Sequence, residues 1–259
     1  MPFEQIKRPH HSILRPFLIS LIFLGGVRIL HAEETSIEKL QSYQNAIVTV
    51  KGQVIVSLDE SEKPKAALAP NGQIVVLDNH RVQVQEKTGA GVIVDQNGTI
   101  VTNTHIIYGS QVIKVVLNDG TELPAAVLFV SREYDFSLLK IVGACPQSHI
   151  EWGDSDRAEL GQEIITIGHS PLLDKTISGG IIRGMGTRTL KDGKTTPELL
   201  ELNINHYAGD SGGPVFDREG RFLGLIEAKR LTVDRACFAV PVNKIHSAYL
   251  SLADDKQNK

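Results

Sequence analysis

The sequence predicts an all-β fold of two antiparallel barrels or sandwiches with a short helix at each end, and three observations carry that prediction. Short runs rich in Val, Ile and Thr succeed one another from residue 47 onward. Pairs of a polar residue and glycine punctuate them, at Asn71-Gly72, Asn97-Gly98, Asp119-Gly120, Asp192-Gly193 and Glu219-Gly220. No helical stretch long enough for a βαβ crossover lies between the runs, which excludes a parallel α/β sheet. With 259 residues, 41% hydrophobic and 22% charged, the chain can bury one large core or two smaller ones sharing an interface. Aromatics make up only 5%, so branched aliphatics must fill most of that core.

The first 32 residues are read apart from the fold. Lys7, Arg8 and Arg15, against the single acid Glu4, precede twelve uncharged residues at 16–27, the layout of a secretory signal peptide. Twelve residues give about 18 Å of helix, short of the roughly 30 Å hydrocarbon core of a bilayer, so a stable membrane anchor is the less favoured alternative. Cleavage is expected after Ala32, and the exported chain would be periplasmic or secreted. Removing residues 1–32 takes away four bases and one acid and leaves 23 basic and 29 acidic residues, a formal charge of −6. That balance argues against nucleic acid as a partner. Export permits a disulfide between the two cysteines, Cys145 and Cys237, although two buried thiols are the expectation. No His/Cys cluster has the close spacing of a metal site, so neither a metal nor a cofactor is expected.

Residues 34–46 read as a short amphipathic helix, with Thr35 or Ser36 as N-cap and Ile37, Leu40 and Tyr43 on one face. Strand runs follow at 47–50, 74–77, 92–94, 112–117 and 138–142, then at 164–167, 199–204 and 222–226. The charged stretch 57–68, with Asp59, Glu60, Glu62, Lys63 and Lys65, reads as a strandless solvated loop, with a docking loop as the alternative. A shift to Cys, Pro, Gln and Ser within 143–153 marks the boundary between halves, giving a first unit at 33–148 and a second at 149–259. Near the end, Ile245, Ala248 and Tyr249 lie at helical spacing within 242–252, before a polar tail at 254–259.

The string Gly209-Asp210-Ser211-Gly212-Gly213-Pro214 carries the most chemical information. A serine hydroxyl attacks only when a base takes its proton and fixed donors hold the resulting oxyanion. Flanking glycines allow a turn tight enough to aim the amides of Gly209 and Ser211 at one spot beside the hydroxyl. The bland alternative is a Gly-rich β-turn containing a chance serine. Partners are present: His105 follows the strand-like Val101-Thr102-Asn103-Thr104, and Asp135 lies where a polar loop enters Phe136-Ser137-Leu138-Leu139. Alone, either would pass for a surface or turn residue. Together they supply base, orienting carboxylate and nucleophile, two from one half and one from the other, which predicts a site in the cleft between halves.

These residues resemble the chymotrypsin-like serine proteases, and within them the HtrA/Deg family, across residues 89–249. Further matching pieces are Thr88-Gly89-Ala90-Gly91-Val92-Ile93-Val94, Trp152-Gly153-Asp154-Ser155-Asp156 and Ile167-Gly168-His169-Ser170-Pro171. The resemblance implies two six-stranded β-barrels and hydrolysis of peptide bonds in unfolded or exported proteins, without a cofactor. It makes His105 the general base, Asp135 its orienting partner, Ser211 the nucleophile, and Gly209, Asp210 and Ser211 the oxyanion hole. It also places the pocket for the residue before the cut at Asn205, His206, Tyr207, Glu227, Ala228 and Lys229. Such pockets are generally aliphatic in the family; His206 and Lys229 would instead suit a carboxylate, unless both face solvent.

Departures from the family pattern qualify the resemblance. The string reads Gly-Asp-Ser, nearer to trypsin-type enzymes than to the Gly-Asn-Ser common in HtrA proteins, which leaves the mechanism intact. No PDZ domain is expected after the last predicted helix. A homotrimer built through residues 34–46 is the assembly the resemblance leaves open. The alternative to an active endopeptidase is a silent or switchable protease-fold binding protein, against which stands the presence of all three catalytic residue types. His169 and His246 are expected to serve packing, and His80 and His149 to face solvent.

Overall fold

The computed structural model describes residues 38–57, 66–68, 74–76, 82–143, 148–168, 176–189, 193, 195–205, 209–229 and 236–257. Residues 38–42 are helical and tighten into a 3-10 turn at Tyr43–Ala46, burying Leu40 and Tyr43 as the helical spacing predicts. The chain then enters β1 (Ile47–Ser57), and β2 (Ala66–Leu68) pairs with β3 (Ile74–Val76) in a separate two-stranded sheet. Residues 66–68 are thus not strandless: Ala66 to Leu68 finds a partner, in the register Ala66↔Val76, that a run of small residues alone does not announce.

Next come β4 (Val82–Ile93), β5 (Thr99–Asn103), the single-turn helix α1 (Thr104–Ile107), β6 (Val112–Val116), β7 (Glu122–Ser131) and β8 (Phe136–Ile141). The strand order β1-β4-β5-β8-β7-β6 closes on itself through pairing of β6 with β1. Closure satisfies every edge that an open sheet would expose. Turn glycines do what the sequence asks of them: Gly98 and Gly120, at φ 76° and 83°, sit between β4 and β5 and between β6 and β7. All five residues of β5 are buried, because one face lines the first barrel and the other meets the second.

A second closed barrel follows, made of β9 (Glu163–Gly168), β10 (Thr176–Thr189), β11 (Thr195–Asn203), β12 (Pro214–Phe216), β13 (Phe222–Lys229) and β14 (Ala236–Pro241), in the order β10-β11-β14-β13-β12-β9. The helix α2 (Val242–Gln257) runs farther than the predicted 242–252. All-β architecture with two six-stranded antiparallel barrels, a short N-terminal helix and a C-terminal helix is therefore the observed fold.

One apolar core crosses the junction. Ile47, Val92, Ile93 and Leu138 of the first barrel join Ile167, Phe216, Phe222 and Val240 of the second, with Val242 and Ile245 of α2 closing it. A second cluster, including Ile164, Ile182, Leu200, Val215 and Ile226, fills the second barrel itself. The few aromatics concentrate at the seam: Tyr43 stacks on Phe216 at 5.5 Å, Phe216 meets Phe222 at 6.5 Å, Phe222 meets Trp152 at 5.8 Å, and Trp152 stacks on His246 at 4.5 Å. His246 thus serves packing, and burial lowers its pKa. His149 is half-buried rather than solvent-facing. Cys237 is a free, buried thiol, its pKa pushed up to about 12 by burial and by the Asp210 charge.

The signal-peptide stretch 1–32, Ile37, the Asn71-Gly72 turn, His80, Cys145 and His169 lie outside the described residues. Among the described residues no helix is long and apolar enough to cross a membrane, and no group of His, Cys, Asp and Glu is arranged to hold a metal ion.

Asp95 fastens α2 to the β4–β5 turn. Its carboxylate accepts from the amides of Asn97 and Thr99, each at 2.9 Å, from Thr99 Oγ1 at 2.6 Å and from the Tyr249 hydroxyl at 3.1 Å. Burial pushes its pKa up, but these donors outweigh burial and hold it below the ordinary value. A depressed folded-state pKa stabilises the fold above the unfolded value, near pH 4, and that contribution fades as pH falls through the folded value. Asp95→Asn is expected to be less stable than wild type at pH 7 and to lose less of its urea midpoint than wild type on acidification from pH 5 to pH 3. Parallel midpoint curves for the two proteins would contradict this role.

Candidate active site

Strand β5 delivers His105 to the seam. Its last residue, Asn103, keeps an extended backbone, and α1 begins one residue later, so the imidazole projects from a helical turn and remains half exposed at 50%. Thr104 anchors this turn: its hydroxyl contacts the carbonyl of Phe136 and the hydroxyl of Ser137, each at 2.8 Å.

Asp135 occupies the tight turn 132–135 that enters β8, at φ 52°. A left-handed backbone is uncommon for a residue with a Cβ, although Asp tolerates it better than most. Neighbours hold it there. Its carbonyl accepts from the Thr104 amide at 3.1 Å and from Asn103 Nδ2 at 3.0 Å. Its carboxylate Oδ1 accepts from the His105 amide at 2.9 Å, and Oδ2 lies 2.5 Å from His105 Nδ1. A proton on Nδ1, facing the carboxylate, leaves Nε2 as the acceptor on the open side of the ring.

The Ser211 loop, from the second barrel, docks against the first. Ala90 of β4 donates its amide to the Ser211 carbonyl at 2.8 Å, while Thr102 of β5 donates its hydroxyl to the Ala90 carbonyl at 2.7 Å. Gly212, at φ 83°, is pressed so closely on this strand that an added Cβ would lie 2.1 Å from the Ala90 oxygen. A Cβ at Gly89 would similarly meet Ile106 Cδ1 at 2.2 Å and the Ser211 oxygen at 3.0 Å, so the residue after His105 and the serine share one glycine. Within the loop, the Gly213 amide donates to the Asp210 carbonyl and the Gly212 amide to the Ile226 carbonyl, each at 2.9 Å. The Ser211 hydroxyl donates to the Glu227 carbonyl at 3.3 Å. No hydrogen bond joins His105 and Ser211 among the described residues.

Of the pocket residues read from the sequence, Asn205 is exposed, His206 and Tyr207 lie outside the described residues, and Ala228 and Lys229 are placed by their strand pairing in β13. Glu227 differs from a pocket-lining residue. Its side chain is 0% exposed and forms an ion pair with Arg188 of β10, whose Nη1 is also 4.0 Å from Asp135 Oδ2. Burial lowers the pKa of Arg188 and the Asp135 charge opposes that effect. Arg188 was invisible in the sequence because β10 carries Gly179, Gly180, Gly184 and Gly186 and shows no readable alternation. A signal did exist at Glu227, which extends the apolar run of β13: a charge in such a run, once buried, demands a partner.

This geometry can be compared with known proteins. Residues 89–225, more than half of the chain, match the family described as Trypsin-like peptidase domain. The chain belongs to that family. Within it the similarity is to HtrA/Deg-type proteases. HhoB of Synechocystis sp., named as a serine protease, is 31% identical over 160 residues, covering 61% of this chain and 38% of its own length. A Marinomonas sp. protein named as a DegP-like periplasmic serine endoprotease is 34% identical over 137 residues, 53% of this chain and 29% of its own. The chain thus spans well under half of these relatives. Among solved structures, the HtrA-type protease AlgW with decapeptide superposes with a TM-score of 0.65 at 23% identity, covering 86% of this chain and 67% of that one, a likeness of fold.

Gly212→Ala would place a side chain in left-handed backbone and drive it into Ala90. It is expected to lower the unfolding free energy by about 1–3 kcal/mol from backbone strain alone, with a further loss from the clash. An unchanged urea midpoint would contradict the close docking of this loop.

Proposed function

We propose that the chain is an exported serine endopeptidase acting on polypeptides through Ser211, His105 and Asp135. One observation carries the reading: an imidazole held at 2.5 Å by a carboxylate stands just after β5, whose neighbour β4 is hydrogen-bonded to the Ser211 loop. In the reaction, Ser211 turns about its Cα–Cβ bond from the Glu227 carbonyl toward His105 Nε2, a change between staggered rotamers. Nε2 takes the hydroxyl proton as the oxygen attacks the substrate carbonyl, and Asp135 stabilises the imidazolium. The amides of Gly209 and Ser211 receive the oxyanion, and the turn closed by Gly213 and Asp210 keeps the loop in shape. His105 then passes its proton to the leaving amine, and water, activated by the same nitrogen, releases the acyl group.

Export is supported by the basic, then apolar layout of residues 1–32, and by relatives named as periplasmic. Peptide substrates are supported by the solved HtrA-type protease carrying a decapeptide. We assign unfolded or exported proteins as the substrate class. A second reading, a protease fold at rest until switched on, draws on the bond from Ser211 to the Glu227 carbonyl in place of one to His105.

Labelling by a fluorophosphonate probe tests the proposal. Wild type is expected to be labelled, Ser211→Ala and His105→Ala not, and Asp135→Asn to react about 10³–10⁴-fold more slowly. A folded wild-type protein that resists the probe would defeat the active reading and favour the resting one.

A further inference from the structure

The pair Arg188 and Glu227 has no part in the mechanism so far, yet it lies directly behind it. Glu227 is fully buried, and a buried carboxylate is costly unless a cation is held against it. Arg188 provides that cation from the adjacent barrel wall. Its position is fixed a second way: it stands opposite Thr196 in the β10–β11 register, and the Thr196 hydroxyl donates to the Glu133 carbonyl at 2.8 Å. Neighbouring residues of one hairpin therefore reach the same turn of the first barrel, Thr196 at its backbone and Arg188 at the carboxylate of Asp135. At 4.0 Å from Oδ2 the guanidinium attracts that carboxylate without replacing the His105 Nδ1 contact at 2.5 Å.

The structure assigns Arg188 and Glu227 as positioning residues for the Asp135–His105 pair: Glu227 anchors Arg188, and Arg188 holds the Asp135 carboxylate aimed at the imidazole. Glu227 also accepts the Ser211 hydroxyl on its main chain, so a single residue of β13 touches the serine by its carbonyl and the carboxylate, through Arg188, by its side chain. The cation is shared by two carboxylates, a task that suits a planar guanidinium with several donors and not an ammonium. This assignment rests on the catalytic reading of Ser211, His105 and Asp135, and adds to it a charge relationship across the seam between barrels.

The test uses the full chain with two readouts: the rate of fluorophosphonate labelling, and the low-field proton NMR signal of the His105 Nδ1 proton held by Asp135. Replacing both charges, in Arg188→Met with Glu227→Met, leaves no unpaired buried charge, and exchange of a buried ion pair for apolar side chains is often neutral for stability. That double variant is expected to keep a urea midpoint near wild type, to label on the order of 10–100-fold more slowly, and to lose the low-field signal through exchange. Arg188→Lys, a milder change, is expected to label at a rate between those of wild type and the double variant. A folded double variant that labels at the wild-type rate and keeps the signal would overturn the assignment, as would wild-type behaviour of Arg188→Lys should the double variant fail to fold. If wild type is not labelled but shows the signal, and the double variant loses it, the positioning role stands while the protease reading falls.

Discussion

The whole arrangement depends on the contact between one loop of the second barrel and one strand of the first. Ala90 gives its amide to Ser211, and Gly212 lies on the Ala90 carbonyl with no room for a side chain. Backbone groups make this contact, so it fixes position more tightly than flexible side chains could, and it is sheltered by the apolar seam of Ile47, Val92, Phe216 and Phe222. Thr102 doubles the restraint by donating to the same Ala90 carbonyl, three residues before His105. Strand β4 is thereby a common reference for the histidine, which follows its neighbour β5, and for the serine.

The carboxylate is held from both sides of the seam. First-barrel groups, the amides of Thr104 and His105 and the side chain of Asn103, keep Asp135 in its left-handed turn. Second-barrel groups, Thr196 and Arg188, brace the same turn from β10 and β11. Strained backbone persists only where surroundings over-determine it, and here they do so redundantly. The serine is restrained differently: its loop is fixed, but its hydroxyl rests on the Glu227 carbonyl.

Much of this was legible in the sequence. Short runs rich in Val, Ile and Thr and Gly-marked turns gave the all-β class, because branched side chains suit the pleated strand and a tight hairpin needs a residue at positive φ. Ser211 stood out because its own string is distinctive, whereas His105 and Asp135 gained weight only from appearing together with it. What stayed hidden had no local signature. The glycines of β10 erase the alternation that would mark a strand, and Arg188 there looks like any surface base until folding sets it between two carboxylates. The family resemblance drew attention to Glu227, but did not show that its side chain turns inward. Strand β2 escaped notice because its partner, and not its composition, makes it a strand.

The crystal structure of the protein after reaction with a fluorophosphonate would show whether Ser211, His105 and Asp135 act together, since the adduct imitates the tetrahedral intermediate. Catalysis through these residues requires phosphorus on Ser211 Oγ, the phosphonyl oxygen within hydrogen-bonding distance of the Gly209 and Ser211 amides, and His105 Nε2 facing Oγ while Nδ1 stays on Asp135. An adduct on another residue, or one on Ser211 with the His105 ring turned away and the Ala90 contact broken, would contradict it.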